Sequence, residues 1–84
     1  MIRVTTFIKR SPNEENPDAP DSWRVQSCMI DFGVEAEPRV LLSEVVYASP
    51  VAAHQDMQTR AFAEIRRYGY TGPFEGVIWR LHLI

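Results

Sequence analysis

The sequence has little of what holds small secreted or metal-binding proteins together. Cys28 is the only cysteine, so an intramolecular disulfide is excluded. One thiol and two histidines cannot build a structural zinc site of ordinary spacing. We therefore predict no metal and, from the single cysteine, a reducing compartment. The N-terminus has no charged segment followed by an apolar one, which agrees with a predicted cytoplasmic location.

Long apolar runs and catalytic signatures are also missing. The longest apolar stretches, residues 40–42 and 76–79, are far shorter than a membrane span. There is no Walker loop, HExxH motif or GxSxG motif, and the segment 69–72 lacks the lysine and the strand-before-helix setting of a phosphate loop. These absences predict a protein that does not enter a membrane, is not an enzyme and uses no cofactor.

What the chain does contain is enough for one domain over residues 1–84. An apolar fraction of 45% and an aromatic fraction of 11% can supply a core, and 84 residues leave no room for a second one. Charge is uneven, because residues 12–38 hold seven acids and one base within a chain of net charge −2. Prolines and acids crowd residues 11–21, which we predict to be a long polar loop. The acidic balance makes nucleic acid an unlikely partner.

Hydrophobic periodicity predicts the element order β-β-β-α-β. Residues 2–9, 23–32 and 39–47 are rich in β-branched and aromatic side chains, and residues 74–84 alternate between apolar and polar. The predicted fold class is therefore α+β, with a single four-stranded, mostly antiparallel sheet and one amphipathic helix packed on one face.

The helix is the element with the clearest boundaries. Ser49 suits the N-cap, Pro50 the first helical position and Gly69 the residue after the last turn. A single apolar stripe is expected to face the sheet, made of Val51, Met57, Ala61, Phe62, Ile65 and Tyr68.

Because one helix covers only one face of a sheet, the other face is predicted to be open. Strict alternation along the second strand puts Trp23, Val25 and Met29 on one side and Gln26, Cys28 and Ile30 on the other. The open face is then expected to carry many apolar groups as well as charges. Its candidate binding residues are Arg24, Ile30, Phe32, Ile78, Arg80 and His82.

Three occupants of this face are considered: a second copy in a homodimer, another molecule, or the 11–21 loop folded over it. The leading hypothesis is a small interaction module, a homodimer or a bacterial or phage accessory protein that binds another protein. The alternative is a small-ligand or single-stranded nucleic-acid binder that uses Arg24, Arg80 and His82 as polar anchors.

Two further features have a functional and a structural interpretation. His54 and Gln58 lie four residues apart within the helix stripe, where they could bind a ligand or act in acid–base chemistry, or simply lie at a wet rim of the core. Cys28 lies on a predicted half-buried strand without a basic neighbour, which predicts a buried, inert thiol.

Overall fold

The structure, a computed structural model, describes residues 1–12, 14–16, 18–33 and 36–84. Within them one helix packs on a five-stranded sheet of order β3-β2-β1-β5, with β4 also paired to β2. The elements are β1 Arg3–Ser11, β2 Ser22–Asp31, β3 Arg39–Leu41, β4 Val46–Tyr47, α1 Pro50–Tyr68, a short 3₁₀ turn Phe74–Gly76 and β5 Ile78–Leu83.

The α+β class, the single helix and the mostly antiparallel sheet are confirmed, but the sheet has five strands rather than four. All pairs are antiparallel except β1 with β5, which is parallel. Asn13 and Pro17 of the predicted 11–21 loop lie outside the described residues. No helix in the described part of the chain is long and apolar enough to cross a membrane.

The extra strand arises because the predicted strand 39–47 divides into β3 and β4. Both pair with β2, but their registers differ by one residue, so no continuous ladder can join them. The chain between them leaves the sheet and is held by side-chain hydrogen bonds, one of them between Ser43 Oγ and the Tyr47 hydroxyl at 3.2 Å. The Val45 amide donates to Ser43 Oγ at 3.2 Å, and Arg60 Nη2 donates to the Leu42 carbonyl at 3.2 Å.

Both ends of helix α1 follow the predicted signals. Ser49 Oγ accepts a hydrogen bond from the Ala52 amide at 3.0 Å, and Gly69 closes the helix with a left-handed φ of 112°. The buried stripe consists of Ala53, Met57, Ala61 and Ile65. The prediction that Val51 and Tyr68 belong to that stripe is wrong: both are largely exposed, because they lie at the two ends of the helix.

Strand β2 contains a bulge that the alternation pattern does not reveal. Phe7 pairs with Ser27 while the next residue of β1, Ile8, pairs with Val25, so Gln26 is an extra residue in β2. Residues on either side of the bulge therefore no longer alternate as predicted. Val25 and Cys28, three residues apart, are both buried toward the helix.

The core lies between the helix and one face of the sheet. Its buried members are Val4, Thr6, Ile8, Val25, Cys28, Ile30, Tyr47, Ala53, Met57, Ala61, Ile65 and Val77. The Thr6 hydroxyl donates to Cys28 Sγ at 3.5 Å, and burial raises the pKa of that thiol. The prediction of a buried Cys28 is confirmed, and its raised pKa disfavours the reactive thiolate.

Candidate functional site

The face of the sheet opposite the helix is the main candidate site, and we call it the outer face. Its residues follow from the strand registers, because side chains at paired positions share a face. They are Arg3, Thr5, Phe7, Lys9 and Ser11 of β1, Ser22, Arg24, Ser27, Met29 and Asp31 of β2, Val40 of β3, Val46 of β4, and Ile78, Arg80 and His82 of β5.

Four of the six residues predicted for the open face lie on the outer face, namely Arg24, Ile78, Arg80 and His82. Placing Ile30 there was wrong: its side chain is fully buried in the core, because the bulge at Gln26 reverses the alternation that follows it.

Phe32 is also on the other side of the sheet from the one predicted. It follows the end of β2, and its ring stacks on Tyr68 of the helix with a centroid distance of 4.2 Å. The outer face is therefore less apolar than the alternation pattern predicted.

Charge is concentrated on the outer face. It carries the four cations Arg3, Lys9, Arg24 and Arg80 and one carboxylate, Asp31, which together give a net charge of +3. The candidate binding residues did not include Arg3 and Lys9, although the even spacing of Arg3, Phe7 and Lys9 along β1 was the signal that could have found them.

These four cations have no carboxylate within ion-pair distance among the described residues. Lys9 is moreover directly opposite Arg24 in the β1–β2 ladder, where two like charges destabilise the pair. Asp31, the one acid on this face, is directly opposite Arg3 in the same ladder but makes no ion pair with it within 4.0 Å, and it accepts a hydrogen bond from the Gly33 amide at 2.9 Å. The outer face therefore presents positive charge that the fold itself leaves uncompensated.

The cations on the helix side are placed differently. Arg39 and Arg67 both contact Glu64, at 2.6 Å and 3.2 Å, and Arg10 at the hairpin end lies 3.5 Å from Asp21. The guanidinium of Arg66 lies 4.7 Å from the centre of the Phe62 ring. Arg60 also lacks a carboxylate, but its guanidinium donates to Met57 Sδ and to the Leu42 carbonyl. Among the described residues, the basic side chains without an ion pair, a hydrogen bond or a ring contact are thus those of the outer face.

An aromatic pair lies among these charges. Phe7 and His82 are neighbours across the parallel β1–β5 ladder, and their rings meet edge to face with centroids 5.4 Å apart. Phe7 is half-buried and His82 exposed, so part of the pair faces solvent. A planar group could stack on it from the open side.

The outer face is long and uncovered. From Arg3 to Lys9 it extends roughly 20 Å along β1, at about 3.3 Å per residue. Arg3, Lys9, Arg24, Arg80 and His82 are all exposed, so the described residues of the 11–21 loop do not lie over them.

The predicted polar pair on the helix, His54 and Gln58, is half-buried. His54 Nε2 is buried without a hydrogen-bond partner among the described residues. Burial without a compensating bond lowers the pKa of the imidazole, because the charged form is the more costly one to desolvate. No group of three or more metal-ligating side chains occurs among the described residues.

The buried imidazole gives a pH prediction. In the unfolded chain His54 titrates near 6.5, and in the folded protein its pKa is lower. Below pH ~6.5 the unfolded state therefore binds more protons, and the free energy of unfolding decreases as the pH falls. Urea unfolding at about pH 7.5 and pH 5.5 measures this decrease.

The His54→Met variant serves as the control for that measurement, because its side chain cannot be protonated. We expect the loss of stability between the two pH values to be smaller in the variant. An unchanged loss would assign the pH dependence to other groups.

A second candidate region, which unlike the outer face is concave, lies at the C-terminal end of the helix. It is a cleft of about 480 Å³ beside the stacked rings of Phe32 and Tyr68, and its charged lining includes Arg39, Glu64 and Arg67. Both guanidinium groups are bound to the Glu64 carboxylate. The cleft therefore offers a ligand less uncompensated charge than the outer face does.

Comparison with known proteins assigns no family and no function to the chain. No protein-family model matches the sequence, and no curated protein or solved structure is significantly similar to it.

Proposed function

We propose that the outer face binds single-stranded nucleic acid. The observation that carries the proposal is a set of four unpartnered cations, Arg3, Lys9, Arg24 and Arg80, arranged around the half-exposed Phe7–His82 pair. Cationic grooves with an aromatic stacking surface are the usual means by which proteins hold single strands.

The need for an anion follows from the charges themselves. The fold keeps Lys9 opposite Arg24 at a cost in stability and supplies no carboxylate to offset it. A phosphate group placed between the two side chains would turn this repulsion into two charge-assisted hydrogen bonds. Two copies stacked face to face would instead bring like charges together. We therefore favour an anionic ligand over a second copy on this face.

The spacing of the cations favours a polymer over a small anion. They occupy three rows of the sheet, with Arg3, Arg80 and the Lys9–Arg24 pair spread over roughly 20 Å along β1, and do not converge on one pocket. A chain of phosphates can follow such rows, whereas an isolated phosphate can contact only one of them. The flat surface around Phe7 requires unpaired bases for stacking, which favours a single strand over a duplex.

The acidic balance of the whole chain does not oppose this assignment. The chain has a net charge of −2, but among the described residues the acids outside the outer face lie on the loop after β1, on the 36–45 segment, on helix α1 and in the 3₁₀ turn. Binding depends on the local field, which over the outer face is that of a net +3 charge. The cytoplasmic location and the bacterial or phage origin remain predictions from the sequence alone.

The direct test is fluorescence anisotropy with a labelled oligothymidylate of about 12 nucleotides, longer than the outer face. We expect binding at low salt, with a slope of log K against log salt of about −3 for four cations at ~0.7 each. The Arg3→Gln variant is expected to reduce the slope by about 0.7. Arg66→Gln, which removes the same charge from the helix side, is expected to leave it unchanged.

Competition decides between a single strand and other polyanions. An unlabelled single strand should displace the probe at lower concentration than a duplex of the same length or polyglutamate. Equal displacement by polyglutamate would show that the face binds any polyanion, and no binding at low salt would reject the proposal outright.

A further inference from the structure

Strand β5 leaves one edge of the sheet open. Within the described part of the chain it pairs with β1 alone, and the Ile78 amide donates to the Ile2 carbonyl and the Ile84 amide to the Ile8 carbonyl, each at 2.9 Å. In a parallel ladder, alternate residues turn their backbone groups toward the partner strand. Ile78 and Ile84 turn their amides toward β1. The alternate residues between them, Trp79, Leu81 and Leu83, therefore turn their N–H and C=O groups to the open edge.

The side chains at this edge are apolar on the helix side. Leu81 is 38% exposed and Leu83 52% exposed, although both lie on the face of the sheet that the helix packs against. The strand contains no proline, lysine or bulge, and its one arginine, Arg80, lies on the outer face, so the apolar row Trp79, Leu81 and Leu83 is not interrupted. The opposite edge is different, because β3 and β4 have three and two residues and the chain leaves the sheet between them.

We propose that β5 pairs antiparallel with β5 of a second copy, in a register centred on Leu81. About six inter-strand hydrogen bonds would then satisfy the open backbone groups of both strands. The apolar side chains also match, because Leu81 faces its own copy, Trp79 faces Leu83, and Ile78 faces Ile84. The interface is isologous, as a two-fold dimer requires.

Charge repulsion favours the register centred on Leu81 over the register centred on the neighbouring residue, Arg80. Centring the pair on Arg80 would place two guanidinium groups directly opposite each other, which is destabilising. Centring it on Leu81 places Arg80 opposite His82 instead, so that no two guanidinium groups face each other. β5 is thus complementary to its own reversed sequence, which favours a second copy over an unrelated peptide. The pairing does not depend on nucleic-acid binding, but it would join the two outer faces into one surface.

The oligomeric state in the absence of nucleic acid tests the proposal. Sedimentation equilibrium at about 100 μM should give twice the 9.7 kDa protomer mass, or 19.4 kDa. Leu83→Lys should raise the dimer Kd roughly tenfold or more. Leu42→Lys is the matched control, since Leu42 is 67% exposed near the opposite edge and its variant should remain dimeric. A monomeric parent protein, or equal dissociation in both variants, would overturn the proposal.

Disulfide trapping tests the register. In a Cys28→Ala background, which removes the one native thiol, Leu81→Cys should form an inter-copy disulfide because the two Cα atoms lie roughly 5.5 Å apart in this pairing. His82→Cys, one residue further along, faces position 80 of the other copy and should cross-link at least about tenfold more slowly. Faster cross-linking at position 82 than at position 81 would contradict the Leu81-centred register.

Discussion

Ile30→Asp is expected to unfold the domain, whereas Met29→Asp leaves it folded. Ile30 is fully buried between the sheet and the helix, so the variant must bury an unpaired carboxylate or expose the core. A loss of about 5 kcal/mol or more is expected. A chain of this length has a total stability of roughly 4 to 13 kcal/mol. Far-ultraviolet circular dichroism during urea unfolding measures both variants.

Met29 is the matched control because it is adjacent in sequence and similar in size. Its side chain is 41% exposed on the outer face, opposite Val40 and Thr5, so a carboxylate there remains solvated. A cost of at most about 1 kcal/mol is expected, from the weaker strand preference of aspartate. The alternation pattern without a bulge predicts the reverse ranking. A folded Ile30→Asp together with an unfolded Met29→Asp would therefore place Met29 in the core and Ile30 on the outer face.

The elements that could be predicted from the sequence are those set by local chemistry. Ser49 and Gly69 define the helix ends, because one supplies a side-chain acceptor for the first turn and the other adopts a left-handed φ that most residues avoid. The presence of strands β1 and β5 could likewise be predicted, because the hydrophobic pattern of each strand depends only on its own residues.

What could not be predicted depends on pairing between distant segments. Nothing in the identity of Gln26 marks it as a bulge, yet this one extra residue moves Ile30 from the outer face into the core. The division of 39–47 into two strands is also a matter of register against β2. The parallel neighbour of β5 is β1, some 70 residues earlier, which no local pattern indicates.

Pairing between distant segments also explains why the net charge of the sequence predicted no nucleic-acid binding. Net charge is a sum over the chain and contains no information on which face each side chain occupies. Only the ladder brings Lys9 of β1 and Arg24 of β2 together and aligns them with Arg80 of β5 on one surface. The alternative hypothesis, with Arg24, Arg80 and His82 as anchors, named three of the residues that now form the proposed site.

The second large effect is expected for Arg24→Glu, which should weaken nucleic-acid binding while stabilising the fold. The substitution changes the net charge of the outer face from +3 to +1 and places a carboxylate opposite Lys9. The loss of a charge-assisted contact, worth about 1.5 to 3 kcal/mol, lowers the affinity for the oligothymidylate probe by roughly tenfold to a hundredfold. The new Lys9–Glu pair across the ladder should stabilise the domain by about 0.2 to 1 kcal/mol.

Opposite changes in binding and stability separate this explanation from simple damage to the fold. A variant that binds poorly because it is partly unfolded would lose both properties together, so both must be measured on the same preparation. Arg66→Glu provides the matched control: it makes the same charge change on the helix side, and we expect its affinity for the probe to stay within about twofold of the parent protein. If Arg24→Glu kept full affinity, or if Arg66→Glu lost as much, the cations of the outer face would not be the nucleic-acid site.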